Sequence, residues 1–180
     1  MLCFRKLILI LTIPFTSLIN GQEIREPEAA TGLTAKKSIL GKEMMVVAAN
    51  PYASKAGFNI LKKGGSAVDA AVAIQMVLTL VEPQSSGIGG GAFMLHWDNS
   101  DKALIAFDGR ETAPAAVTED LFLQANGKPV SWIDAVVGGR SVGVPGVLAS
   151  LYDVHQKYGK LPWQSLFSEA IALSENGFII

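Results

Sequence analysis

The stretch AVDAAVAIQMVLTLV, residues 67 to 81, constrains this chain more than any other. It is apolar on nearly every side, and Ser66 precedes it with Asp69 three positions later, the spacing of a capping box. A helix without a polar face has to be enclosed by other elements. Membrane insertion is the rival. A span needs about 20 apolar residues, however, and this run is shorter and holds Asp69 and Gln75. A core helix is therefore expected, with the rest of a domain built round it. Composition agrees: 49% of residues are apolar and 17% charged, against a usual charged share of about 25%, so the chain can bury a core and is not disordered.

The neighbours of that helix follow from periodicity. MMVVAAN (Met44 to Asn50) reads as a buried strand. From Pro51, apolar residues at Ala53, Ala56, Gly57, Ile60 and Leu61 predict an amphipathic helix stopped by Gly64 and Gly65. AFMLHWD (Ala92 to Asp98) and Ala103 to Phe107, separated by a polar turn, predict a hairpin. Two more helices are expected. One starts near Pro145 with Leu148, Leu151, Tyr152, His155 and Tyr158 along one side and ends at Gly159. The other starts at Pro162, with Trp163, Leu166, Phe167, Ala170 and Ile171 as its apolar face, and ends at Gly177. Phe178 to Ile180 has the pattern of a strand start, so the chain is expected to continue. The order predicts an α+β fold, a mixed sheet with helices packed on it.

The N-terminus follows a different rule. Arg5 and Lys6 precede an apolar run, Leu7 to Ile19, that contains Pro14 and gives way to polar residues, the pattern of a secretory signal over residues 1–21. Residues 22–43 then read as an extended lead-in to a domain at 44–180. The only cysteine, Cys3, would leave with the signal, which excludes disulfides and thiol chemistry from the exported remainder. Fifteen Lys and Arg balance sixteen Asp and Glu, so no basic field exists to hold a nucleic acid.

Four features compete as sites. SSGIGGGAF (Ser85 to Phe93) lies between a helix and a following strand, the reverse of the order a phosphate-cradling loop requires, so close backbone packing is the simpler reading. GRSVG (Gly139 to Gly143) matches the form of a serine nucleophile elbow, yet Val144, Pro145 and Gly146 intervene before the helix that an elbow needs directly after Ser141. His96 and His155 lack a ligand partner at i+4 and read as structural, and Asp69 reads as a cap. That leaves Arg110 and Glu111 in FDGRETAPA. A solvated pair is the plain explanation. A guanidinium fixed at a strand end is nonetheless suited to bidentate capture of a carboxylate, a geometry lysine cannot imitate.

Taken together, GGSAVDAAVAIQMVLTLVEPQSSGIGGGAFML, FDGRETAPA, GGRSVGVPG and YGKLPWQSLFSEAIALSENGF resemble the gamma-glutamyltranspeptidase family of N-terminal-nucleophile hydrolases, over Met44 to Ile180. The DGRETAP form resembles bacterial members. The resemblance implies the N-terminal portion of an αββα sandwich and the start of the family's large subunit. It implies that Arg110 binds the alpha-carboxylate of a gamma-glutamyl substrate and that Glu111 helps to hold it. It also implies that no catalytic residue lies in this stretch, because the family's nucleophile is a threonine exposed by self-cleavage, followed by histidine, at the start of a downstream small subunit. No Thr-His pair occurs here. The activity so implied is transfer of a gamma-glutamyl group from glutathione or related amides to water or to an amino acid or dipeptide acceptor. It needs no cofactor, and the expected location is periplasmic or secreted. A related acylase and a truncated, non-catalytic domain are the alternatives.

Overall fold

A computed structural model describes residues 37–179, and the compact unit considered below begins at Leu40. The signal sequence and most of the expected lead-in lie outside the described residues.

Helix α1 spans Pro51–Lys62 and α2 spans Ala67–Val81. Asn50 caps α1 by accepting from Tyr52 N at 3.0 Å, with Pro51 in the first turn where its missing N–H costs nothing. Gly64 takes φ 87°, a left-handed conformation that a side chain disfavours, and so turns the chain between the two helices. The capping box of α2 is present in both directions: Asp69 N donates to Ser66 Oγ at 3.1 Å, and Ser66 N donates to Asp69 Oδ2 at 2.8 Å. As its composition requires, α2 is the central element, packed against α1, against the helices over Val147–Tyr158 and Ser168–Asn176, and against the 3₁₀ turn at Trp163–Phe167. Val68, Val72, Ala73 and Val77 are fully or almost fully buried. Among the described residues no helix is long and apolar enough to cross a membrane.

Strands β1 (Ala92–Asp98) and β2 (Ala103–Gly109) pair antiparallel with Leu95 opposite Ala106 and Ala92 opposite Gly109. Alternation sorts their side chains. Met94, His96, Ile105 and Phe107 face inward, with Phe107 and the His96 ring packed on Tyr158. Phe93, Leu95, Trp97 and Leu104 form an exposed apolar outer face.

A short helix α3 (Trp132–Val136), which the sequence pattern does not reveal, precedes α4 (Val147–Tyr158). The last helix, α5 (Ser168–Asn176), follows a 3₁₀ turn at Trp163–Phe167 and ends at Gly177.

Four expectations need correction. Met44 to Asn50 is not a strand: these residues alternate in exposure as extended backbone does, but they find no ladder partner among the described residues. β2 runs two residues past Phe107. The buried side of α4 is Val147, Leu151, Val154 and His155, whereas Leu148 and Tyr152 are exposed. Phe178 and Ile179 belong to no strand; Tyr52 instead holds them, through its ring against Phe178 and its hydroxyl accepting from Ile179 N at 3.2 Å. The α+β class stands, although among the described residues the sheet is a two-stranded antiparallel one and not a mixed one.

Candidate functional site

The end of β2 delivers Gly109, Arg110 and Glu111 into a crevice between two glycine-rich segments. Asp108 Oδ1 accepts from Arg110 N at 2.9 Å, which fixes the bend as the chain leaves the strand. Thr112 then forms an isolated antiparallel bridge with Val144: Val144 N donates to Thr112 O at 2.8 Å and Thr112 N to Val144 O at 3.3 Å. The bridge ties the arginine segment to the segment 139–146.

The glycines explain how three backbones fit together. A Cβ on Gly91 would fall 2.7 Å from both Arg110 Cα and Glu111 Oε2. One on Gly143 would fall 2.9 Å from Glu111 Cβ, and one on Gly146 would fall 2.6 Å from Arg110 O. Real side chains do not tolerate such approaches. Gly90 adds a second link, because its carbonyl accepts from Gly146 N at 3.0 Å and Val147 N at 3.1 Å. The loop thereby satisfies the N-terminus of α4, which has no side-chain cap.

On this cradle Arg110 Nη1 lies 2.8 Å from Glu111 Oε2. The Glu111 side chain is 26% exposed, and that of Arg110 is 64% exposed. Glu111 Oε2 is itself buried and, among the described residues, finds no hydrogen bond of good geometry, so the contact with Arg110 is an ion pair without a linear bond. The carboxylate anchors one nitrogen of the guanidinium while most of the cation still faces solvent. That arrangement leaves donors free for a second carboxylate. The pair opens on a cleft of about 360 Å³, walled by Thr112 to Pro114, Val117, Leu121, Phe122 and Arg140 to Gly143.

The structure pairs the Arg110 guanidinium with the Glu111 carboxylate. It gives the other candidates different work. Ser141 sits in a turn and donates its hydroxyl to Val136 O at 3.1 Å, and α4 begins only at Val147, so the elbow geometry is absent. His155 is buried, with Nε2 2.9 Å from Leu161 O and 3.5 Å from Asp69 Oδ1. Asp69 does more than cap α2: its carboxylate also accepts from Lys160 N at 3.0 Å and Leu161 N at 3.1 Å, fastening the loop after α4 to the start of α2. Arg140, which shares the cleft with Arg110, escapes notice in the sequence because it sits inside the serine-elbow pattern.

The chain is similar to known proteins in both sequence and fold. The family model described as gamma-glutamyltranspeptidase matches residues 53–180, and so includes the cradle and the Arg110–Glu111 pair. A glutathione hydrolase proenzyme of Bacillus subtilis is 46% identical over 145 residues, 81% of this chain and 25% of its own length. Among solved structures, the gamma-glutamyltranspeptidase of Helicobacter pylori is 35% identical with a TM-score of 0.72, covering 82% of this chain and 41% of that one. The cephalosporin acylase of Bacillus halodurans is 31% identical with the same TM-score of 0.72, covering 87% of this chain and 28% of that one. The chain spans about a quarter of the length of the curated relatives it matches. By the family match and these similarities, the chain belongs to the gamma-glutamyltranspeptidase family.

Proposed function

We propose that this chain is the N-terminal part of the large subunit of an exported, self-processing gamma-glutamyltransferase and glutathione hydrolase. The observation that carries the reading is the Arg110 guanidinium, held at one nitrogen by Glu111 and open to solvent over most of its surface. A fixed planar cation of this kind grips the alpha-carboxylate of a gamma-glutamyl group with two parallel N–H donors. Glu111 is a positioning residue, because its carboxylate orients the guanidinium. The glycine cradle sets the depth at which the pair sits.

The chemistry then falls to residues supplied by the small subunit. A threonine hydroxyl, freed by self-cleavage and assisted by its own new amino group, attacks the gamma-amide carbonyl. The amine leaves with a proton, and the resulting ester is resolved by water or by an amino acid or dipeptide acceptor. No cofactor enters these steps. The N-terminal Arg5–Lys6 and Leu7–Ile19 pattern supports a periplasmic or secreted location.

The test is expression of the whole reading frame. The expected outcome is a precursor that splits into two chains, the smaller beginning with threonine, and hydrolyses glutathione. An intact, inactive full-length product refutes the reading and leaves the non-catalytic alternative. The likeness to an acylase of known structure supports a second reading, action on a different amide. A glutaryl anilide keeps the terminal carboxylate and lacks only the alpha-amino group, so glutaryl turnover equal to or better than gamma-glutamyl turnover favours the acylase.

A further inference from the structure

The cleft beside Arg110 is lined by three charged residues, Arg110, Glu111 and Arg140. The first two form an ion pair, so the cleft's surplus positive charge comes from Arg140. Among the described residues Arg140 is exposed and lies within 4 Å of no carboxylate. The Thr112–Val144 bridge also orders the two arginines. Arg110 lies just before Thr112, and Arg140 lies before Val144 on the antiparallel partner, so they approach the cleft from opposite directions along the bridge. Val117, Leu121 and Phe122 form an apolar wall. A ligand fitting this cleft is therefore an anion at both ends with a less polar middle.

We propose that Arg140 takes the terminal carboxylate of the peptide part of a gamma-glutamyl peptide, so that the cleft selects donors ending in a free acid. This rests on the reading that Arg110 holds the alpha-carboxylate at the other end. Such donors carry one negative charge for each arginine. Neutral leaving groups such as anilides use only the first.

The experiment compares glutathione with its C-terminal amide as donors for the processed full-length enzyme, in wild type, Arg140→Gln, Arg140→Glu and Arg110→Lys. Wild type should prefer the free acid in kcat/KM by roughly three- to thirtyfold, the scale of one charge-assisted contact partly screened by water. Arg140→Gln should bring that ratio close to one through a higher KM for the free acid, and Arg140→Glu should invert it. Arg110→Lys should weaken both donors alike and leave the ratio intact. An unchanged acid-to-amide ratio in both Arg140 variants overturns the proposal, as does an equal loss on the two donors. If Arg110→Lys is silent while the Arg140 variants still erase the preference, the role of Arg110 fails and that of Arg140 survives.

Discussion

Substitution of alanine along Gly89, Gly90 and Gly91 should give a steep gradient that the sequence, with three identical residues, cannot foresee. Among the described residues a Cβ at Gly89 meets nothing within 4 Å, and one at Gly90 meets only Glu111 Oε1 at 3.2 Å. At Gly91 it would lie 2.7 Å from Arg110 Cα, 2.7 Å from Glu111 Oε2 and 2.8 Å from Gly109 O. Two of these three atoms are backbone and cannot swing aside. Restoring an ordinary contact requires a displacement of about 0.7 Å, shared between the loop and the arginine segment. Overpacking of this kind costs about 1–3 kcal/mol. The functional loss should be larger than that of a general weakening, because a shift of about 1 Å in a binding group can cost roughly a hundredfold. Gly91→Ala should therefore lower kcat/KM for a gamma-glutamyl anilide by about tenfold or more, Gly90→Ala by a few-fold at most, and Gly89→Ala hardly at all. Electrophoresis of the two subunits shows whether each variant has processed. Equal effects at Gly89 and Gly91, or a silent Gly91→Ala, would refute the cradle as the device that positions Arg110.

Asp69→Ala should lower the unfolding free energy by about 3–5 kcal/mol in urea titration, because the amides of Ser66, Lys160 and Leu161 lose an acceptor and each buried orphan costs about 1–3 kcal/mol; a loss below about 1 kcal/mol contradicts its fastening role. Ser141→Ala should change turnover by no more than about twofold, the usual scale of a surface substitution, whereas abolition of activity would restore the serine as nucleophile. The Asn50 amide, with that of Gln84, holds the Glu82 carboxyl below its ordinary range. A lowered folded pKa stabilises the fold above the unfolded value, and the contribution is lost as pH falls through the folded one. Asn50→Ala should thus raise the Glu82 pKa in an NMR titration; an unmoved pKa means the contact does not form in solution.

What the sequence reveals here is mostly local. The capping box at Ser66 and Asp69, the glycine stops at Gly64 and Gly177 and the hairpin are legible because each depends on residues a few positions apart. A strand is different, since it requires a partner. Met44 to Asn50 has a strand's composition and lacks a ladder among the described residues. Helix α4 shows the limit of periodicity: two overlapping apolar stripes are available, and the neighbours choose the one through Val147 and Val154 over the one through Leu148 and Tyr152. At the site, the arginine is visible as an unexplained cation at a strand end. Its surroundings are not. Nothing local distinguishes Gly91, where an added Cβ would press on Glu111, from Gly89, where it would enter open space among the described residues, because the difference lies in a segment about twenty residues away in sequence that the hairpin folds back onto the loop.

Binding of a substrate carboxylate by Arg110 is tested most directly by the kinetics of Arg110→Lys in the processed full-length enzyme with two donors. One is a gamma-glutamyl anilide; the other is its analogue lacking the alpha-carboxylate. Lysine keeps the charge and loses the planar fork, so one or two charge-assisted bonds of about 1.5–3 kcal/mol each should disappear for the first donor. Its kcat/KM should fall by roughly ten- to several-thousand-fold, mainly through KM, while the analogue's rate and the self-cleavage of the precursor stay near wild type. If instead both donors lose activity equally, or neither does, Arg110 is not the residue that recognises the carboxylate.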